Sequence, residues 1–149
     1  MNQSEIEIRL REAVNRLYAR DVLLLEYEAG ERAVAAKLAC YLAPLFPDRD
    51  VDVEYNRHGL DPKEIDLPTV CRGGGAKLII PDVIVHRRGH DGDNLLVVEV
   101  KKETNPESRD CDRAKIQCMK QRFKYDWGVL IDMPAGPGAG DRPPKMEWL

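Results

Sequence analysis

The sequence predicts an α/β (α+β) fold: one mixed β-sheet flanked by helices, in the order α-α-β-β-β-α-β. Three observations predict it. Two helix-spaced apolar stripes come before any strand-like run. Two β-branched runs, Ile79-Ile80-Pro81-Asp82-Val83-Ile84-Val85 and Val97-Val98-Glu99-Val100-Lys101, flank a stretch rich in Gly and Asp and read as a hairpin. A helical stretch then separates that hairpin from the buried run Trp127-Gly128-Val129-Leu130-Ile131, far enough for a right-handed crossover to a parallel partner.

Taken in order, Ile6, Leu10, Val14 and Leu17 place one apolar stripe on a helix over 4–20, with Ser4 as N-cap and Glu7 as its capping-box partner. Residues 21–25 form a short apolar link. A second helix is expected over 29–43, with Ala33, Val34, Leu38, Tyr41 and Leu42 among its apolar positions and Pro44 and Pro47 helping to end it. Residues 51–57 alternate as a strand, with Val51, Val53 and Tyr55 on one side and Asp52, Glu54 and Asn56 on the other. Residues 58–75 are polar, contain Pro62, Pro68 and the run Gly73-Gly74-Gly75, and read as a long surface connection. The hairpin occupies 77–102. After a turn around Pro106, a third helix starts at 108 or 110 and runs to 124. Ile116, Met119 and Phe123 are its apolar stripe, and Arg113, Gln117, Lys120 and Lys124 a separate, largely basic row. The run at 127–131 is a fourth strand. Residues 134–144, rich in Pro and Gly, carry no core-forming pattern, and 145–149 read as an edge strand or a loose tail.

A chain of 149 residues favours a single domain with a sizeable core, here about 26–132, with the first helix as an addition. Its net charge of −3 does not announce a polyanion partner, although a bound divalent cation can supply positive charge locally. No apolar run approaches the roughly 20 residues of a membrane span. The polar, acidic N-terminus lacks the apolar segment of a signal peptide. A cytoplasmic location with no membrane partner is therefore expected. The four cysteines (Cys40, Cys71, Cys111, Cys118) form no C-x-x-C pair and read as buried or semi-buried thiols, not as a zinc site or a disulfide framework.

Charge inside the hairpin is the functional clue. A tip symmetric about 89–92 sets Asp82 directly across from Glu99, with Cβ atoms about 4.5–5.5 Å apart. Lys101, two residues past Glu99, shares their face. A bulge at Pro81 would turn Asp82 away. Two carboxylates this close repel unless one takes a proton or a cation lies between them. With backbone carbonyls and water they suit Mg²⁺ or Mn²⁺. The alternative is a salt bridge in which Lys101 neutralises Asp82 or Glu99. A bound metal would lower the pKa of a coordinated water and stabilise charge on a phosphoryl oxygen. Lys101 would then position or deprotonate that water, or stabilise the pentacovalent state. Glu31 or Glu28 from the second helix, or Glu54, are candidates for a third acid. His86 shares the Asp82 face by parity, and it and Arg57 are candidates for phosphate contact, each set against an ordinary structural or solvated role.

Pro81-Asp82 followed by Glu99-Val100-Lys101 resembles the PD-(D/E)xK signature of the restriction-endonuclease-like nuclease superfamily. From the second helix onward, the predicted order α-β-β-β-α-β resembles that superfamily's core, across about 26–132. Glu54-Tyr55-Asn56-Arg57 and Val85-His86-Arg87-Arg88-Gly89 are similar to stretches in small stand-alone bacterial members without a settled function. The resemblance implies a Mg²⁺- (or Mn²⁺-) dependent phosphodiesterase acting on nucleic acid, with DNA as the expected substrate. Asp82, Glu99 and Lys101 would be catalytic. Asp82, Glu99, the Val100 carbonyl and Glu31 would hold the metal. Arg113, Lys115, Gln117 and Lys120 on the third helix would face phosphate. The sequence has no recognisable target-recognition domain and an acidic balance, so two further readings stay open: a catalytically silent binding module of nuclease fold, or a subunit of a defence or repair complex. A homodimer or larger assembly fits either.

Overall fold

The N-terminal apolar stripe forms helix α1 (Gln3–Glu26) in a computed structural model that describes residues 1–58, 61–69, 71 and 74–149, with backbone alone at 58, 61, 62, 65 and 77. Ile6, Leu10, Val14 and Leu17 are fully buried. The N-cap is Asn2, not Ser4: its side chain accepts the Glu5 N–H at 3.0 Å, and Glu5 accepts the Asn2 N–H at 2.8 Å. Asn caps as well as Ser, and a carboxylate three residues later completes the box in either frame. The expected link at 21–25 is a second length of helix. Asp21 (φ −128°) kinks α1 without ending it, and the chain beyond buries Leu25. Helix α2 (Glu31–Leu42) buries Val34, Leu38 and Leu42 and ends in a 3₁₀ turn, Ala43–Leu45, that contains Pro44.

The strands are β1 (Asp50–Val53), β2 (Arg57–His58), β3 (Asp61–Pro62), β4 (Glu64–Leu67), β5 (Gly75–Leu78), β6 (Val83–His86), β7 (Leu96–Lys102), β8 (Trp127–Met133) and β9 (Lys145–Trp148), with helix α3 (Asp110–Phe123) between β7 and β8. Five form one mixed sheet in the order β1-β6-β7-β8-β9. The β7–β8 pair, joined through α3, is parallel, and the other three pairs are antiparallel. The architecture is therefore α+β, a five-stranded mixed sheet flanked by helices. The terminal segment supplies the edge strand β9, and Ala135 and Ala139 of the Pro/Gly-rich stretch enter the core after all.

Two expectations about the middle of the chain need correction. The strand expected over 51–57 stops at Val53, where Glu54 adopts a left-handed conformation (φ 51°) that breaks the ladder. The connection expected over 58–75 folds into two small antiparallel ribbons, β2–β3 and β4–β5. Leu67 of β4 packs against the α3 side of the sheet, an anchor that polar composition conceals. Residue 73 of the glycine run lies outside the described residues. Gly74 is a required turn residue (φ 65°), because a Cβ there would sit 2.6 Å from the Leu67 carbonyl oxygen.

The hairpin keeps the expected pairing over a shorter span than 77–102, with Val83 opposite Val98, Ile84 opposite Val97 and Val85 opposite Leu96. The ladder ends at Val83–Val98, and Asp82, one residue before it, still lies beside β7: it accepts the Val100 N–H and neighbours Glu99. One sheet face (Val83, Val85, Val98, Val100, Val129, Ile131) packs on α1 and α2. The other (Ile84, Val97, Leu130) meets Ile116, Met119 and Phe123 of α3. Gly128 marks the closest approach of α3: an added Cβ would fall 2.3 Å from Ile116 Cγ2. Gly128→Ala is expected to lower stability by about 1–3 kcal/mol through overpacking, measured as a shifted urea midpoint.

Cys71 and Cys111 form a disulfide, against the expectation of thiols; Cys40 and Cys118 are free. The bridge joins the segment between β4 and β5 to the first turn of α3. Its partners are 40 residues apart with Cα atoms 4.9 Å apart, a proximity that only the packing of that segment on α3 creates. Cysteine usage therefore no longer argues for a reducing compartment. Among the described residues, no helix is long and apolar enough to cross a membrane.

Candidate active site

Asp82 lies just before β6, and Val100 of the neighbouring strand holds it: the Val100 N–H donates to Asp82 Oδ2 at 2.8 Å. Glu99 sits in the middle of β7, between β6 and β8 and beneath α3, and is 1% exposed. Lys115, largely buried on α3, donates to Glu99 Oε2 at 2.8 Å. Glu99 Oε1 is buried and receives no hydrogen bond.

Burial first, and then the neighbouring Asp82, push the Glu99 carboxyl up to about 8. Burial also raises Asp82, offset in part by the Val100 N–H and by Lys115. Both shifts have the same sign, so burial and mutual repulsion favour protonation of the pair unless a cation lies between the carboxyls. The Lys115 ammonium on Glu99 opposes the negative charge of the pair. Burial by itself would depress Lys115, but Glu99 and Asp82 outweigh it and the net shift is upward.

Lys101 shares this face, yet its ammonium goes elsewhere. Nζ lies 3.4 Å from Asp112 Oδ2 and 3.5 Å from Glu107 Oε2. Burial lowers its pKa, but Asp112, Glu31 and Glu107 prevail and keep it protonated. The salt bridge weighed from sequence, Lys101 onto Asp82 or Glu99, is replaced by Lys115 onto Glu99. Sequence reasoning missed Asp112 altogether. The signal was present: Asp112 precedes Ile116 by four residues, so the Ile116-Met119-Phe123 stripe extended by one turn puts a carboxylate on the core side of α3.

Of the candidates for a third acid, Glu31 is best placed. Its carboxylate accepts the Lys102 N–H at 2.7 Å and Asn105 Nδ2 at 3.1 Å, clamping the first turn of α2 onto the end of β7 and adding negative charge near Lys101. Glu28 accepts from the Thr104 hydroxyl, and Glu54 pairs with Arg32 at 2.7 Å.

The residues expected to meet substrate are scattered. His86 is buried, with Nε2 2.8 Å from Asp52 Oδ2 and its ring edge-on to Tyr55 at 4.6 Å. It is a satisfied structural histidine four residues along the chain from Asp82. Arg57 is exposed, and its carbonyl accepts from Lys63. Arg113 pairs with Glu147 at 3.0 Å and Asp110 at 3.1 Å, Gln117 is exposed, and Lys120 donates to the Leu149 carbonyl. Lys115 alone of this set turns into the sheet.

Among the described residues, no group of three or more His, Cys, Asp or Glu side chains is arranged to hold a metal ion by itself. What the fold does assemble is a carboxyl pair, Glu99 buried and Asp82 half-buried, with one Glu99 oxygen lacking a donor and the Lys115 ammonium on the other. Compared with known proteins, the chain matches no family model, no curated protein and no solved structure.

Proposed function

We propose that the protein is a metal-dependent nuclease that hydrolyses phosphodiester bonds, with DNA as substrate, and that its sheet is of the restriction-endonuclease-like kind. One observation carries this reading: Glu99 Oε1 is buried without a donor beside a second, half-buried carboxyl, Asp82, just before the adjoining strand. Leaving a buried carboxylate oxygen unpaired is costly. A proton shared with Asp82 relieves that cost, and so does a hard divalent cation.

The residues present fit Mg²⁺ or Mn²⁺: two carboxylates as hard oxygen donors, with the Val100 carbonyl as a third donor on the resemblance. When bound, such an ion supplies a water of lowered pKa and charge stabilisation at a phosphoryl oxygen. The Val100 N–H fixes Asp82 in place, and Lys115 orients Glu99. Glu31 secures the backbone of β7 at Lys102, next to Lys101. Asp112, Glu31 and Glu107 favour the charged form of Lys101, which suits it to stabilise negative charge developing on the phosphate.

A second reading has its own support. Lys115 already balances the carboxyl pair, which suits a nuclease-fold binding module that needs no metal. Supercoiled plasmid incubated with millimolar Mn²⁺, alongside manganese titration calorimetry, separates the two. The nuclease reading expects nicking that EDTA abolishes, and loss of both the nicking and the binding heat in Asp82→Asn. No manganese binding together with no cleavage of duplex DNA, single-stranded DNA or RNA would leave the binding module standing.

A further inference from the structure

We infer that Asp112 is a positioning residue for this hydrolysis, holding the Lys101 ammonium at a set distance from the Asp82–Glu99 pair; the inference rests on the nuclease reading above. Acids in the first turn of a helix are ordinarily dipole partners and stay in water. Asp110, 63% exposed at its side chain, fits that description. Asp112 does not: it is 8% exposed and lies on the face of α3 that carries Ile116, Met119 and Phe123 into the sheet. Taking a carboxylate out of water there is unfavourable unless it is paired. Its partner is Lys101, 3.4 Å away and itself largely buried.

The geometry gives this pair a purpose beyond mutual neutralisation. β7 presents Glu99 and Lys101 two residues apart on one face, about 6.6 Å along the strand. α3 presents Asp112 and Lys115 three residues apart, about one turn or 4.5 Å along the helix. The two spacings are close enough for one helical turn to meet one strand segment with opposite charges at both points, Lys115 on Glu99 and Asp112 on Lys101. A lysine arm left to itself extends its head group to water. Glu107 also reaches Lys101, at 3.5 Å, but its side chain is 57% exposed and offers a looser hold. Asp112 is therefore the tighter of the two holds on the Lys101 ammonium.

Plasmid cleavage kinetics with Mn²⁺ test this on wild type, Asp112→Asn, Asp112→Glu, Lys101→Ala and the Asp112→Asn/Lys101→Ala double variant, with manganese titration on each. Misplacing a catalytic group by an ångström costs about 10²-fold, and Asp112→Asn is expected to lose kcat on that scale. Its KM for DNA and its manganese affinity should stay within about twofold of wild type. Asp112→Glu should recover part of the rate, and the double variant should be no slower than Lys101→Ala alone. Wild-type kcat in Asp112→Asn, or losses that multiply in the double variant, would overturn the inference and leave the nuclease reading intact. If Asp112→Asn does not fold, Asp112→Glu decides: it keeps the charge on an arm one methylene longer, and an unchanged kcat in it overturns the inference. A wild-type protein that cuts nothing overturns the nuclease reading and this inference together.

Discussion

Lys115→Met is expected to destabilise the protein by about 3–5 kcal/mol, the usual cost of removing one partner from a buried ion pair. Lys115 is the ammonium that balances the Asp82–Glu99 pair, and Glu99 is 1% exposed. Without Lys115 the buried Glu99 carboxyl either keeps a charge out of water with no ammonium beside it or takes a proton. Urea denaturation measures the effect as a lower midpoint at unchanged slope. Glu99→Gln/Lys115→Met removes the charge along with its partner and should regain most of the loss. A single variant as stable as wild type would mean that Lys115 and Glu99 do not pair, and the charge balance of the site would have to be redrawn.

Lys101→Ala is expected to slow cleavage by about 10²–10³-fold, the range seen when one donor to a developing anion is removed. The fold should survive. Lys101 belongs to neither apolar cluster, so the core stays intact, but the buried Asp112 loses its partner and stability falls as well. Thermal unfolding checks that point, and plasmid nicking in a clean preparation checks the rate. Undiminished nicking by folded Lys101→Ala would remove Lys101 from the chemistry and leave Lys115 as the lysine nearest the carboxyl pair. Both variants give up a buried ion pair and with it stability, so the rate measured on folded protein is what tests Lys101 as the catalytic lysine.

The register of the hairpin was legible in the sequence, but its extent was not: the first strand is only Val83–His86, and Leu78 belongs to the β4–β5 ribbon. Strand parity is strict, so a symmetric tip leaves few registers, and the observed pairing of Val83 with Val98 brings Asp82 and Glu99 together as expected. The stripes of α1 and α3 were equally plain, because the helical period shows in any amphipathic segment. Boundaries were less so. Asn2 and Ser4 present the same capping chemistry, and only the chain's path selects between them. The β4–β5 ribbon was hidden because its apolar contacts are few and lie against an element distant in sequence.

Local periodicity thus determined on its own the order of the main elements, the two faces of the sheet and the presence of Asp82, Glu99 and Lys101 on one of them. The tertiary structure decided which charge answers which. Lys115 meets Glu99, Asp112 meets Lys101, Glu31 meets the backbone of Lys102, and Cys71 meets Cys111. The physical reason is that these contacts join elements across the sheet and its covering helices. They depend on how far α2 and α3 are turned and shifted over the strands. Packing of Ile116 against Gly128, with Met119 and Phe123 alongside, sets that placement for α3, and no local pattern encodes it.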